Sequence, residues 1–178
     1  MSNLYEEIDH LLDLIENLDG IKQPTFYHPE TDALQHSLQV FFIALSKSSD
    51  HSLILAALLH DVGKSISSNG HAHLSVEMIK GFSFMNEKII WLVRNHLRVS
   101  YYLSGEMKKQ SKIDKLVNSK YFSSLLELRE FDLEGRNPSL QILFQREEIK
   151  KYIISLISNL KAEPGGSLDA ETSAALTR

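Results

Sequence analysis

Leu4, Ile8, Leu11, Leu12, Ile15 and Leu18 recur at spacings of three and four. That period predicts an amphipathic first helix over residues 4–18, with Gly20 placed to cap its C-terminus. "IKQPTFYHPET" carries two prolines and reads as a loop, after which "DALQHSLQVFFIAL" is apolar enough for a largely buried helix. Asp50 is a capping residue ahead of "HSLILAALLHD", an almost continuous apolar run. "VGKSISSNG" is turn-like, and helical spacing resumes near His71. "NEKIIWLVRNH", "KYFSSLLELREFDLEG" and "SLQILFQREEIKKYIISLISNL" predict three more helices, the last two divided around Pro138.

No stretch alternates with the period of a strand and no segment repeats, so the predicted fold class is all-α. Residues 1–160 are expected to form one compact helical domain. From Lys161 the composition changes to "KAEPGGSLDAETSAALTR", without apolar periodicity, and residues 161–178 read as a flexible tail or a cloning scar.

Polar groups that break the apolar faces change the picture. "LLHDVGK" (58–64) sets His60 and Asp61 at the end of a run predicted to be buried. His36 shares its face with Ala33, Val40 and Ile43, and His60 with Leu53, Ala56 and Ala57. His96 lies with Ile89, Leu92 and Val93, and Asp132 with Leu125 and Leu128. One such residue alone reads as a satisfied core polar group. Four on different helices, each costing about 1–3 kcal/mol if left without a partner, point to one shared divalent cation.

Composition narrows the chemistry. The chain contains no cysteine, so disulfides and thiolate ligands are excluded and any metal rests on His, Asp or Glu. "MSNLYEEIDH" is acidic where a signal sequence is basic, and no apolar run approaches the ~20 residues needed to cross a bilayer, which predicts a cytoplasmic protein without a membrane partner. A net charge of −4 excludes a broad grip on long nucleic acid but allows a local basic patch.

The sequence resembles the HD superfamily of metal-dependent phosphohydrolases through His36, the His60-Asp61 doublet and Asp132. The resemblance is closest to the HD region of bacterial tRNA nucleotidyltransferases and their poly(A) polymerase relatives. "HPETDALQHSL" is similar to their "HPEGDVWxHT", and "NGHAHLSVEMI" to their "GH-[DE]-x-x-[GS]-A". "LVRNHLR" and "YFSSLLELREFDLEGR" are similar to their "V-x-x-H" and "LLxLxxAD" segments, so five stretches follow in order over residues 25–136. Thr31 stands in place of a glycine, Ala72 of an acidic residue and Phe131 of an alanine. Only one helix is expected within residues 1–24, with no nucleotidyltransferase domain, so CCA addition is not expected.

The resemblance implies that His36, His60, Asp61 and Asp132 ligate a first metal, and that Asp61 bridges to a second held by His71 and His96. His73 is a spare, and His10 and His51 fall outside the pattern. Imidazole and carboxylate without thiolate suit Mn, Fe, Ni, Co or Zn, one or two ions per chain. Such ions activate water and polarise phosphoryl oxygens. Lys64 and Asp61 are the expected catalytic residues, with Gly63 allowing a tight turn before Lys64. Arg94, Arg98 and Arg136 are expected to bind substrate, whereas the charged run 106–115 reads as a solvated face. The expected substrate is a small phosphorylated molecule, a nucleotide or RNA end, including 2′,3′-cyclic phosphates and nucleoside monophosphates. A di-iron oxygenase and a non-catalytic RNA-binding or regulatory module are the alternatives, and the oligomeric state is open.

Overall fold

A computed structural model describes residues 3–162, which form eight α-helices and one short 3-10 turn; no strand occurs among the described residues. The helices are α1 (Leu4–Glu16), α2 (Ala33–Lys47), α3 (His51–Leu59), α4 (His71–Ile79), α5 (Glu87–Leu103), α6 (Gln110–Val117), α7 (Phe122–Glu134) and α8 (Arg146–Ala162). The 3-10 turn, Val62–Ser65, joins α3 to α4. The all-α expectation holds.

α3 is apolar around its whole circumference, and every residue from Ser52 to Leu59 is buried. A helix of that kind has no solvent face and must be surrounded. α2, α5, α7 and α8 pack against it, and α4 closes over the 3-10 turn and α5. The His60-Asp61 doublet leaves the C-terminal end of this central helix and so emerges inside the domain. Asp50 caps α3 as expected, its Oδ1 accepting from Leu53 N at 3.1 Å.

Two glycines set how closely the elements approach. A Cβ on Gly63 would lie 2.4 Å from the His71 carbonyl oxygen and 2.6 Å from Ser75 N, so only glycine lets the 3-10 turn sit on α4. Its φ is not positive, and the expected role in a tight turn gives way to close approach. A Cβ on Gly135 would meet Val40 Cγ2 at 2.4 Å, which holds the end of α7 against α2.

Several boundaries differ from expectation. α1 ends at Glu16 with Asn17 as its C-cap, and Gly20 instead takes a left-handed conformation in the following turn. The predicted helix over 139–160 begins only at Arg146. Gln39 Nε2 donates to the carbonyls of Asn137 and Leu140, and Gln39 Oε1 accepts from Asn137 N. Gln35 bonds both backbone groups of Ile142 in the same way. These amide side chains satisfy backbone groups of 137–142 outside any helix, with a turn at 138–139, and Pro138 disfavours helix at the residue before it. The solvated run 106–115 contains the start of α6, a helix that buries only Leu116. Lys161 and Ala162 continue α8; the rest of the predicted tail lies outside the described residues.

Candidate metal centre

His36 comes from α2, His60 from the C-cap of α3, Asp61 from the start of the 3-10 turn, His71 from the first turn of α4, His96 from α5 and Asp132 from α7. The fold brings all six into one cluster, and only Asp132 is appreciably exposed. Ligand atoms of His36, His60 and Asp132 lie within 4.8 Å of one another, as do those of Asp61, His71 and His96.

Asp61 stands between the two groups. Its Oδ2 is 3.2 Å from His60 Nε2 and 3.8 Å from His36 Nε2. Its Oδ1 is 3.0 Å from His71 Nε2 and 3.6 Å from His96 Nε2. One carboxylate thus addresses each group with a different oxygen. Asp132 Oδ1 completes the first group, 2.9 Å from His36 Nε2 and 3.9 Å from His60 Nε2.

The imidazoles are oriented from behind. His60, His71 and His96 each place Nδ1 at 2.8 Å from a backbone carbonyl, of Ala57, Ser68 and Val93 respectively. A carbonyl only accepts, so each Nδ1 carries a proton, and in the neutral form that binds a metal each ring turns its Nε2 lone pair inward. His71 Nε2 and His96 Nε2 then face each other at 3.2 Å, lone pair to lone pair. His60 Nε2 and Asp61 Oδ1 are buried without a hydrogen-bond partner. Convergent acceptors of this kind are costly alone and are satisfied by a cation. The donor set fits a divalent transition metal.

Charges follow the same geometry. Burial opposes ionisation of Asp61, but the His60 imidazole, the Lys64 ammonium and the His71 imidazole gathered against it hold its carboxyl well below the usual range. Asp132 is likewise lowered, with burial outweighed by His36, His60 and Arg136. Burial works to lower His36, yet the hydrogen bonds to Asp132 and Glu30 and the Asp61 charge raise it to about 9. Burial pushes His96 down and keeps its imidazole neutral.

Lys64 is buried beside the cluster, its Nζ 2.6 Å from Asp61 Oδ2 and hydrogen-bonded to Gln23 Oε1. Arg136 donates from Nη2 to Asp132 Oδ2 at 2.8 Å and from Nη1 to the Tyr27 carbonyl, so its guanidinium braces a cluster carboxylate. Arg94 and Arg98 lie outside the cluster, two residues either side of His96 and so turned to the opposite side of α5, where they line a cleft with α6. His73 is exposed; His10 and His51 are also outside the cluster.

Sequence reasoning missed four contributors. Glu30 is buried, and its Oε1 accepts from His28 Nδ1 at 2.8 Å and from His36 Nδ1 at 2.9 Å, which lowers its carboxyl to about 2 against the effect of burial. His28 and Glu30 belong to the quoted "HPETD" stretch, and that was the available signal. Gln23 reaches Lys64 from the same loop. Arg129, one turn before Asp132, has Nη1 3.8 Å from Asp132 Oδ2, and its Nε and Nη1 are buried without hydrogen-bond partners.

Comparison with known proteins agrees with this arrangement. A family model described as HD domain matches residues 33–133. The multifunctional CCA protein of Thioalkalivibrio sulfidiphilus is 40% identical over 72 residues, 36% of this chain and 18% of that protein. That of Nitrosococcus oceani is 52% identical over 50 residues, 28% of this chain and 12% of its own length. That of Pseudomonas fluorescens is 35% identical over 77 residues, covering 39% and 19%. The matches span less than a fifth of these relatives. With its doublet at the end of a buried central helix and its ligand atoms gathered from five helices and a turn, the chain belongs to the HD domain family of the metal-dependent phosphohydrolase superfamily.

Proposed function

We propose that this protein hydrolyses phosphate esters of nucleotides, phosphomonoesters or cyclic phosphodiesters, at a binuclear metal centre. His36, His60, Asp61 and Asp132 hold one metal, and Asp61, His71 and His96 the other. The observation that carries the reading is Asp61, whose two oxygens face different ligand groups while Lys64 neutralises it. Bound divalent cations supply activated water and polarise a phosphoryl oxygen.

The chain's own residues support the rest. Two dications against the Asp61 and Asp132 carboxylates leave the centre cationic, which favours an anionic substrate. The Lys64 ammonium has three N–H groups and two acceptors in Asp61 and Gln23, so one donor is left for a phosphoryl oxygen. Arg129 adds unsatisfied N–H groups near Asp132. Arg136 positions Asp132 and Tyr27 and acts on the substrate through them. Arg94 and Arg98 extend positive charge along α5. The same ligands suit two irons and oxygen chemistry; the buried Lys64 favours phosphoryl transfer, where negative charge grows on oxygen.

The test is phosphate release from 2′,3′-cyclic nucleotides and nucleoside monophosphates with Mn, Ni, Co, Zn or Fe supplied. Lys64→Ala is expected to keep its metals and lose about 100-fold or more in kcat, the cost of one well-placed charge-stabilising donor. No release by wild type with any metal, together with oxygen consumption by the iron-loaded protein and an organic substrate, would replace this reading by the oxygenase.

A further inference from the structure

A cleft of about 410 Å³ opens between α5 and α6, on the side of α5 turned away from His96, lined by Trp91, Arg94, Asn95, Arg98, Lys112 and Lys115, with Met107 and Leu116 at its apolar end. That volume lies within the roughly 300–1,000 Å³ of small-molecule sites. Its lining contains four cations and no carboxylate, in a chain whose net charge is −4. Arg98 gives one Nη1 to Asn95 Oδ1. Arg94, Lys112 and Lys115 form no side-chain hydrogen bond or ion pair among the described residues, and the Glu77 carboxylate that Arg94 senses is already paired with Lys80.

Like charges facing one another across a cleft repel, and an anion between them removes that cost. Packing gives no competing reason for the arrangement, because α6 buries only Leu116. The one aromatic group in the lining is the half-buried Trp91, the chain's single tryptophan, tilted 58° to Tyr121 with ring centroids 5.8 Å apart. Cations around an indole are the means by which proteins hold a nucleotide without reading its sequence. A terminal phosphate carries about −1.5 to −2 charges, so four cations match more than one phosphate group.

We infer that the α5–α6 cleft is a nucleotide seat, with the base on Trp91 and two phosphate groups between Arg94 and Arg98 on one side and Lys112 and Lys115 on the other. The inference rests on the proposed function for its ligand class and places this seat apart from the metal ligands. Asn95 and Arg98 flank His96 in sequence, so a ligand seated here is held by the helix that carries a metal-centre histidine.

The experiment is a titration of the chelator-treated protein, followed by selectively excited Trp91 fluorescence, with ADP, a 5′-phosphorylated diadenylate and inorganic diphosphate as probes. ADP or the diadenylate is expected to quench saturably, and the tighter of the two identifies a free nucleotide or an RNA end as the source of the ligand. Arg98→Gln and Lys112→Gln are each expected to raise Kd about tenfold, the scale of one lost charge-assisted contact. Trp91→Leu, read by calorimetry after circular dichroism has shown native helix content, is expected to bring the affinity for ADP down to that for diphosphate. Absence of saturable quenching by either nucleotide, diphosphate binding as tightly as ADP, or unchanged Kd in both cation variants overturns the seat. Because metal is absent, hydrolysis without cleft binding refutes this inference alone, and binding without turnover refutes the hydrolase reading alone.

Discussion

Replacing Gly63 by alanine tests how the second ligand group is built. The added Cβ would lie 2.4 Å from the His71 carbonyl oxygen, 2.6 Å from Ser75 N and 2.8 Å from Leu74 Cβ. Two of these three atoms are backbone, so no rotamer change relieves the clash and α4 must move away from the 3-10 turn. That movement strains a hydrogen-bonded link: Gly63 N donates to Ser75 Oγ at 2.9 Å, and Ser75 Oγ donates to the His60 carbonyl at 3.0 Å. Overpacking of this kind costs about 1–3 kcal/mol, and one lost hydrogen bond adds about 1 kcal/mol. For a chain of this size each kcal/mol lowers Tm by about 2–4 °C, so the expected fall in chelator is roughly 4–16 °C. His71 rides on α4, whereas His36, His60 and Asp132 come from elsewhere. Gly63→Ala should therefore weaken the second metal more than the first. The assay pairs thermal denaturation with metal titration. An unchanged Tm and two unchanged affinities would refute the close-approach argument.

Three further outcomes follow from the site's surroundings. Thr31 is the one non-glycine residue with positive φ, 65°, among the described residues, at the position where the related motif carries glycine; Thr31→Gly should stabilise the protein by about 1 kcal/mol, read by chemical denaturation. Glu30→Gln keeps the shape but removes the charge that His36 and His28 share, and should weaken metal binding about 10–100-fold, measured by competition with a chromogenic chelator, without loss of helix content. In chelator, the His36 pKa is raised from 6.5 to about 9, so the folded state holds the proton more tightly. That stabilisation is complete below about pH 6.5, is lost as pH rises through about 9, and is worth on the order of 3 kcal/mol; metal competes with the same proton, so metal affinity should rise over the same window. Denaturation and metal titration at pH 6.5 and 9 check both signs.

Four positions of this centre were legible because each shares helical spacing with apolar residues of its own stretch. α2 and α5 bury one side that carries His36 and His96, α3 is buried all round and ends in His60, and Asp132 follows Leu125 and Leu128 on α7. His71 follows a turn, where periodicity says nothing, and was reached through the resemblance; Lys64 was reached from its spacing to Asp61. Glu30, His28 and Gln23 come from a loop whose path is fixed by tertiary contacts: Gln23 N donates to the Thr31 carbonyl, and Asp32 both caps α2 and accepts from Gly20 N. None of those contacts leaves a local pattern. Arg136 was recognised from its spacing to Asp132, but its hydrogen bonds to Asp132 and the Tyr27 carbonyl depend on the fold. α6 was hidden by its own charge: Ile113, Leu116 and Val117 share a face, but Lys112, Asp114 and Lys115 among them made the stretch read as a solvated run.

The central claim is that Asp61 joins two metal sites, and metal stoichiometry by mass spectrometry and titration tests it most directly. Wild type should bind two divalent ions per chain at saturation, His71→Ala one, and Asp61→Ala neither with measurable affinity. A wild type that saturates at one ion, or an Asp61→Ala variant that still binds two, would contradict the account.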